Sequence, residues 1–532
     1  MLAQLNKRNI RSRRPRTTVR QYTDDFDKGK NSREENSKIR FDEFDRAINL
    51  VFDNRDVIPR KGTLTFTSDA DFLDIAISKN SGGNKLYAFK KDTTNTKLVD
   101  INRDTKAQTD LITGVAGQAN FSYDSSADTF YFCNGTAAAV QVWQAAGTAT
   151  TLAIPAGTPV ALTMCANRLW VADDDNNLHY SQKTDGEVTS FTINNAHNTG
   201  GITTTDIDKI VEIDNSGVYV VVMGKQRFEI HTAPQFTGGE TTFGDAPDTY
   251  IAGFDGYGIE SMKGYVIVGG VLYFQMEGNF YRYLIGSQTT PEPIDRNKGE
   301  HLKLGFNRSA MYYNPDEELI YTSCRKNSVR NNYGIFYKVR SQGDSRYNAF
   351  SNFTNINAFS FAGDKDDVFF LQEYGGTIKT IEGTDDDGAD ISCELRSANV
   401  DNGDVQYRKN IRTMYLNAES DGSDDIYYYF WADSKDNTEN TPQFTFVASI
   451  TASPPDMLGT FGPWGLTPWG LSAYSTEGND TREFVWQEKK VNRAYGRGMC
   501  GIRFSTRNNV RIKGVGWDFT RTIKRVGNKE FL

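Results

Sequence analysis

The chain reads as all-β: an irregular β-propeller of six or seven blades, an extended N-terminal arm before it and a β-sandwich-like domain after it. Three observations predict this. First, Val271-Leu272-Tyr273-Phe274-Gln275-Met276 and Phe280-Tyr281-Arg282-Tyr283 flank Glu277-Gly278-Asn279, a tight turn in which Gly and Asn accept φ > 0 at low cost. Second, that figure recurs: the second residue of an aliphatic-aromatic pair opening a strand falls at 131, 170, 219, 273, 321 and 369, at spacings of 39, 49, 54, 48 and 48. Propeller blades repeat at about 40–50 residues, one multi-strand unit each. Third, 26 Tyr and 33 Phe against 7 Trp suit half-buried pleated surfaces, and 47 Gly suit many turns.

Residues 1–25 form a basic arm carrying Lys7, Arg8, Arg11, Arg13, Arg14, Arg16 and Arg20. Alone it is a solvated tail; within an assembly it docks on an acidic neighbour or a phosphate backbone. Arg11, Arg13, Arg14 and Arg16 are therefore candidate assembly contacts. Residues 26–387 hold a charged lead-in and then the propeller. In the lead-in, Phe41, Phe44, Ile48 and Val51 have helical spacing, which predicts a short helix.

Strands follow at 63–67, 72–78 and 86–90, a first blade whose aromatic Tyr87 falls either on the leading or on the returning strand. Several later blades carry one more strand ahead of the aromatic one. Phe121-Ser122-Tyr123, Met311-Tyr312-Tyr313 and Phe359-Ser360-Phe361 each run into an acidic turn, which gives at least three strands per blade. Ala233 to Gly258, rich in Gly, Thr and Asp, predicts a long loop projecting from one face.

The period breaks after Thr384-Asp385-Asp386-Asp387-Gly388, and residues 388–532 read as a separate β domain. Within it, Phe461 to Gly470 is interrupted by Pro463, Pro468 and glycines and is no regular element. Its Trp464 and Trp469 either tuck over the domain's core or anchor a contact with a neighbouring subunit, where Trp is enriched. Both join the candidate assembly contacts.

A chain of 532 residues can bury a large core, and a formal net charge of −8 argues against a tight general nucleic-acid binder. The five cysteines (Cys133, Cys165, Cys324, Cys393, Cys500) are odd in number, far apart and free of CxxC, so they read as small buried hydrophobes. A charged N-terminus with no apolar run, and the lack of a long apolar segment, predict cytoplasmic folding and no membrane span.

The four histidines (His179, His197, His231, His301) show no metal spacing, and no GxSxG, Walker or GxGxxG motif occurs. The expectation is a protein that is not an enzyme, with no catalytic, cofactor-binding or metal residues. The triplets Asp173-Asp174-Asp175 and Asp385-Asp386-Asp387 lack the Gly and Glu of a calcium loop and read as solvated turns.

Three regions are similar to the tail nozzle or tail-hub proteins of short-tailed bacteriophages, including the packaged-DNA stabilisation proteins. The lead-in has Phe26-Asp27-Lys28-Gly29, Ile48-Asn49-Leu50-Val51-Phe52 and Arg60-Lys61-Gly62. The middle resembles their irregular propeller. The exit has Pro463-Trp464-Gly465, Pro468-Trp469-Gly470, Val485-Trp486, Gly496-Arg497-Gly498, Phe504-Ser505-Thr506 and Val510-Arg511-Ile512-Lys513-Gly514. The heavily basic leader departs from the family pattern.

The resemblance implies a virion protein made in the host bacterial cytoplasm. It implies a homo-oligomeric ring, commonly a hexamer, below the portal and its adaptor, meeting tail fibre or needle proteins. Phage genomic DNA would pass through without sequence specificity, and mild negative charge suits a conduit through which phosphate must slide. It brings no catalytic residues. Two other readings stand beside it: a carbohydrate-binding or carbohydrate-hydrolysing propeller, and a solitary interaction scaffold.

Overall fold

In the computed structural model the described residues run from Thr18 to Thr522, outside 24–43, 189–199, 233–249, 340–349, 398–407, 433–443, 451–482 and shorter segments of eight residues or fewer. Every regular element among them is a strand. The chain divides into two compact units, one of residues 60–389 and one joining 1–59 to 390–532.

The first strands are β1 (Thr18–Thr23), β2 (Phe44–Ile48), β3 (Leu50–Asp53), β4 (Asp56–Pro59) and β5 (Thr63–Thr65). Blade 1 is β6 (Phe72–Ser78), β7 (Lys85–Asp92), β8 (Asn95–Ile101) and β9 (Gln108–Val115). Blade 2 is β10 (Asn120–Asp124), β11 (Thr129–Cys133), β12 (Ala139–Gln144) and β13 (Thr148–Ala153). Blade 3 is β14 (Pro159–Cys165), β15 (Arg168–Asp173), β16 (Asn177–Tyr180) and β19 (Gly200–Thr203), with a small hairpin of β17 (Lys183–Thr184) and β18 (Glu187–Val188) inserted.

Blade 4 is β20 (Ile210–Ser216), β21 (Tyr219–Gly224), β22 (Arg227–Thr232) and β23 (Tyr250–Asp255). Blade 5 is β24 (Tyr265–Val268), β25 (Val271–Met276), β26 (Asn279–Leu284) and β27 (Glu292–Pro293). Blade 6 is β28 (Leu304–Asn314), β29 (Leu319–Lys326), β30 (Tyr333–Lys338) and β31 (Phe350–Phe353). Blade 7 is β32 (Ala358–Gly363), β33 (Val368–Gln372) and β34 (Ile378–Ile381), completed by β5 from the start of the unit. The described residues thus form seven four-stranded antiparallel blades. The last borrows its outer strand from ahead of the first, which closes the ring and covers an edge that would otherwise invite pairing.

The period is carried by the second strands. Tyr87, Tyr131, Trp170, Tyr219, Tyr273, Tyr321 and Phe369 lie on β7, β11, β15, β21, β25, β29 and β33. Each of these strands is packed on both faces by neighbouring blades, so β11 and β15 are buried at every position and read as apolar runs without alternation. The cores lie between blades. Tyr87 and Phe89 meet Phe130 and Phe132, Tyr131 meets Leu169, Trp170 meets Val220, Phe228 meets Phe274, and Phe369 meets Phe72. Between blades 6 and 7, Tyr321 faces Phe361 with ring centroids 6.4 Å apart. In blade 5, Glu277 (φ 48°) and Gly278 (φ 77°) make the two-residue turn that matches strand twist.

The other unit contains β35 (Ile391–Ser397), β36 (Arg408–Ser420), β37 (Asp424–Ala432), β38 (Phe444–Ile450), β39 (Glu483–Tyr495), β40 (Gly498–Thr506) and β41 (Val510–Thr522). One sheet runs β3-β4-β41-β36-β39 with β1 on β41, and a second places β2-β35-β40-β37-β38 side by side. It is all antiparallel and has the layout of a β-sandwich-like domain.

Four expectations need correction. The strand expected at 63–67 in the first blade is β5, which completes blade 7 instead. The lead-in is not part of the propeller: β2 pairs with β35, and β1 and β4 pair with β41, so the chain's two ends make one unit. The segment with helical spacing forms β2 and β3 instead. Asn49 turns between them at φ 56°, and Phe44 stacks on Phe52 with centroids 6.0 Å apart, so cross-strand burial outweighs a three-residue apolar period. The long loop expected to Gly258 ends earlier, because Tyr250–Asp255 is β23, the outer strand of blade 4.

Candidate functional site

First strands of neighbouring blades lie against one another, β6 on β32, β32 on β28, β28 on β24, β20 on β14 and β14 on β10, as inner strands around a propeller axis do, and polar side chains gather there. Asp74 on β6 is fully buried. Its Oδ1 accepts from its neighbour Ile75 N at 2.8 Å and from Ser360 Oγ on β32 at 2.6 Å, and it also pairs with Lys263 Nζ. Lys263 belongs to the segment just ahead of β24. Its carbonyl accepts from Met311 N on β28, and its ammonium also donates to Ser360 Oγ at 3.1 Å. One lysine therefore ties together strands from blades 1, 6 and 7 while rooted at blade 5.

A second polar group lies on blades 3 to 5. Thr163 Oγ1 donates to Asp214 Oδ1 at 3.5 Å, Asn215 Nδ2 donates to Thr163 at 3.1 Å, and the Tyr265 hydroxyl hydrogen-bonds the Asp214 carboxyl. Burial raises the Asp214 pKa from its ordinary value, although those bonds oppose it. Burial also pushes the Tyr265 hydroxyl well up, with help from Asp214 and Glu212.

A third site closes the ring. Arg60 is 2% exposed and grips Asp386 with two bonds, Nη1 to Oδ1 at 2.9 Å and Nη2 to Oδ2 at 2.5 Å. It also donates to the Thr354 carbonyl at 3.1 Å, and Thr63 Oγ1 and Asn355 Nδ2 add bonds of 3.0 Å to Asp386. Around the pair, Gly62 N donates to Gly383 O, Thr63 N to Asp385 O and Asp387 N to Thr63 O. A Cβ on Gly62 would sit 1.9 Å from the Asp385 carbonyl oxygen, so this crossing admits only glycine.

The acidic triplets are thus not merely solvated turns. Asp386 is the clasp's anion and Asp387 holds Thr65 and Lys379. Asp173 is fully buried, with Oδ2 2.8 Å from His179 Nε2 and Oδ1 accepting from the Asp175 and Asn177 amides at 2.9 and 2.8 Å. His231, the other described histidine, sits 3.2 Å from Glu229, which Arg227 also pairs. The signal for these roles in the sequence is distance along the chain: Arg60 and Asp386 bracket the propeller, and no local pattern joins them.

Burial opposes ionisation of Asp386 and Asp173. The hydrogen bonds from Arg60, Asn355 and Thr63, and from His179 and Asn177, outweigh it and hold both carboxyls below their usual range. A folded-state pKa below the unfolded value gives stability that is present above about pH 4 and lost as pH falls through the folded value. Asp173→Asn should lower neutral-pH stability by roughly 1–3 kcal/mol and make the acid limb of a denaturant-stability profile shallower. An unchanged acid limb would contradict the assignment.

Arg11, Arg13, Arg14, Arg16, Trp464 and Trp469 all lie outside the described residues. Of the cysteines, Cys133, Cys165, Cys324 and Cys393 are buried, and burial pushes the Cys165 thiol up to about 12. Among the described residues no group of three or more His, Cys, Asp and Glu side chains is placed to hold a metal, and no helix is long and apolar enough to cross a membrane.

No protein-family model matches the chain, and no curated protein does. Solved structures similar to it include hydrazine synthase of Kuenenia stuttgartiensis, at 12% identity over 59% of this chain and 96% of that one, with a TM-score of 0.41. The WD40 domain of Toxoplasma gondii coronin matches at 10% identity over 61% and 86%, with a TM-score of 0.38. Virginiamycin B lyase of Staphylococcus aureus matches at 14% identity over 60% and 97%, with a TM-score of 0.36. At these values no activity transfers, and the propeller rests on its own strand pairing.

Proposed function

We propose that this chain is a structural virion protein, one subunit of a homo-oligomeric ring forming the tail nozzle or hub of a short-tailed bacteriophage. The observation that carries the reading is where the family-like segments lie. Ile48 to Phe52 falls on β2 and β3, and Val510 to Gly514 on β41. These segments, more than 450 residues apart, belong to one β unit, in which Asn49 Nδ2 donates to Ser392 O at 2.8 Å and Val57 pairs with Ile512. Two family-like segments that are far apart in sequence and joined in one unit are what a shared assembly module needs.

On this reading the genome passes between subunits rather than along a propeller axis. The Lys263 bridge between strands of blades 1, 6 and 7 leaves no room on that axis for a duplex, since one side chain spans from strand to strand there. A formal charge of −8 per chain keeps the conduit wall from gripping phosphate. The basic arm and the Trp464–Trp469 segment supply contacts to neighbours, the adaptor and fibre or needle proteins.

Native mass measurement of the full chain, alone and with a portal adaptor, tests this. Closed rings of identical copies are expected. A strict monomer under both conditions, or hydrolysis of a member of a glycan panel, would overturn it in favour of a solitary scaffold or a carbohydrate-active propeller.

A further inference from the structure

Among the described residues, four buried side-chain atoms that lack a protein partner belong to three residues at the seam between blades 5 and 6. Gln275 on β25 is fully buried, and neither its amide nitrogen nor its amide oxygen has a partner among the described residues. Thr322 Oγ1 on β29 and Ser309 Oγ on β28 are in the same condition, at 0% and 1% exposure.

The backbone brings the three together. Gln275 N donates to Gly264 O at 3.2 Å, and a Cβ on Gly264 would lie 2.8 Å from Ser309 Oγ. Ser261 Oγ donates to Ser309 O at 2.8 Å. Thr322 is the register partner of Met311, whose amide donates to Lys263 O. Strand alternation turns Gln275 to the same side of blade 5 as Tyr273, which packs against Ile320 and Cys324, the neighbours of Thr322 on its own face. From this seam the Lys263 side chain reaches Asp74, whose Oδ2 is also buried without a partner.

Buried hydroxyls and amides are rarely left unbonded: where protein does not serve them, ordered water does. A side chain with both amide ends open can donate from Nε2 and accept at Oε1, and water does both. We propose that Gln275, Ser309 and Thr322 line a built water site, holding ordered water that hydrogen-bonds the amide and both hydroxyls. The ligand class is water itself: the site offers donors and acceptors but no net charge. Its role is to glue the blade 5–6 seam at the root of the Lys263 bridge.

A high-resolution crystal structure of the full chain tests the site directly. Ordered waters at hydrogen-bond distance, about 2.7–3.2 Å, from Gln275 Oε1 or Nε2 and from a seam hydroxyl are expected. Protein atoms in that space, or a dry site, would overturn the proposal. Thermal unfolding of Gln275→Leu gives an independent readout whose sign decides. If waters serve the amide, the substitution strands them and the melting temperature falls by several degrees. If the amide is unbonded, removing it relieves a penalty and the melting temperature rises, and a rise or no change also overturns the proposal. Should Gln275→Leu fail to fold, Thr322→Val is read the same way.

Discussion

Arg60→Ala should destabilise the propeller by about 3–5 kcal/mol, the usual loss when one member of a buried ion pair is removed. The Arg60 side chain is 1% exposed and that of Asp386 10%, so solvent cannot take over the orphaned carboxylate. The damage is also topological. β5 is three residues long and pairs with β34 at three positions, so the seventh blade's outer strand holds only with the clasp beside it. Removing both charges with apolar residues of similar volume, Arg60→Met with Asp386→Leu, should recover much of the loss, because packed hydrophobes replace buried pairs at little cost. Denaturant unfolding of the three variants checks this. A double variant no better than Arg60→Ala would show that the hydrogen bonds to Thr63, Asn355 and the Thr354 carbonyl matter more than the charge pair.

Lys263→Met is expected to cost a similar amount, about 3–5 kcal/mol, for the same electrostatic reason at a different place. Asp74 has no exposed surface, and the Lys263 ammonium is the cation paired with it. Without that ammonium the carboxylate keeps the Ile75 amide and the Ser360 hydroxyl, which are too few donors for a buried anion. Adding Asp74→Asn to Lys263→Met removes the stranded charge and should restore part of the stability, whereas Asp74→Asn alone leaves the lysine 19% exposed and better able to reach water. Comparing the four proteins in a double-mutant cycle measures the coupling. Additive losses would mean that Lys263 packs rather than pairs.

The repeat was legible because the second strand of every blade is buried on both faces. That burial writes an aliphatic-aromatic run at each of Tyr131, Trp170, Tyr219, Tyr273, Tyr321 and Phe369, and Tyr87 proves to be the same position in blade 1. Blade closure was not legible. Gly62 and Asp385 are neighbours only because β5 pairs with β34 more than 300 residues later, and no local pattern encodes such a register. The lead-in misled for a related reason: Phe44, Ile48 and Val51 have helical spacing, yet their partners are β35 and β4, far away or just beyond a strand turn. At the axis, Asp74, Lys263 and Ser360 look like ordinary strand and turn polars in the sequence. Only a closed ring makes them meet.

The seven-blade ring closed by β5 underlies the clasp, the axial bridge and the proposed nozzle subunit alike. Thr65 and Lys379 are direct antiparallel partners across that closure, a geometry with Cα atoms about 4.5–5.5 Å apart that a disulfide can span. The decisive measurement is peptide mapping of Thr65→Cys with Lys379→Cys after mild oxidation. Near-complete linkage of the peptide bearing position 65 to the peptide bearing position 379 is expected. Two thiols that both stay open to alkylation in the folded protein would contradict that closure.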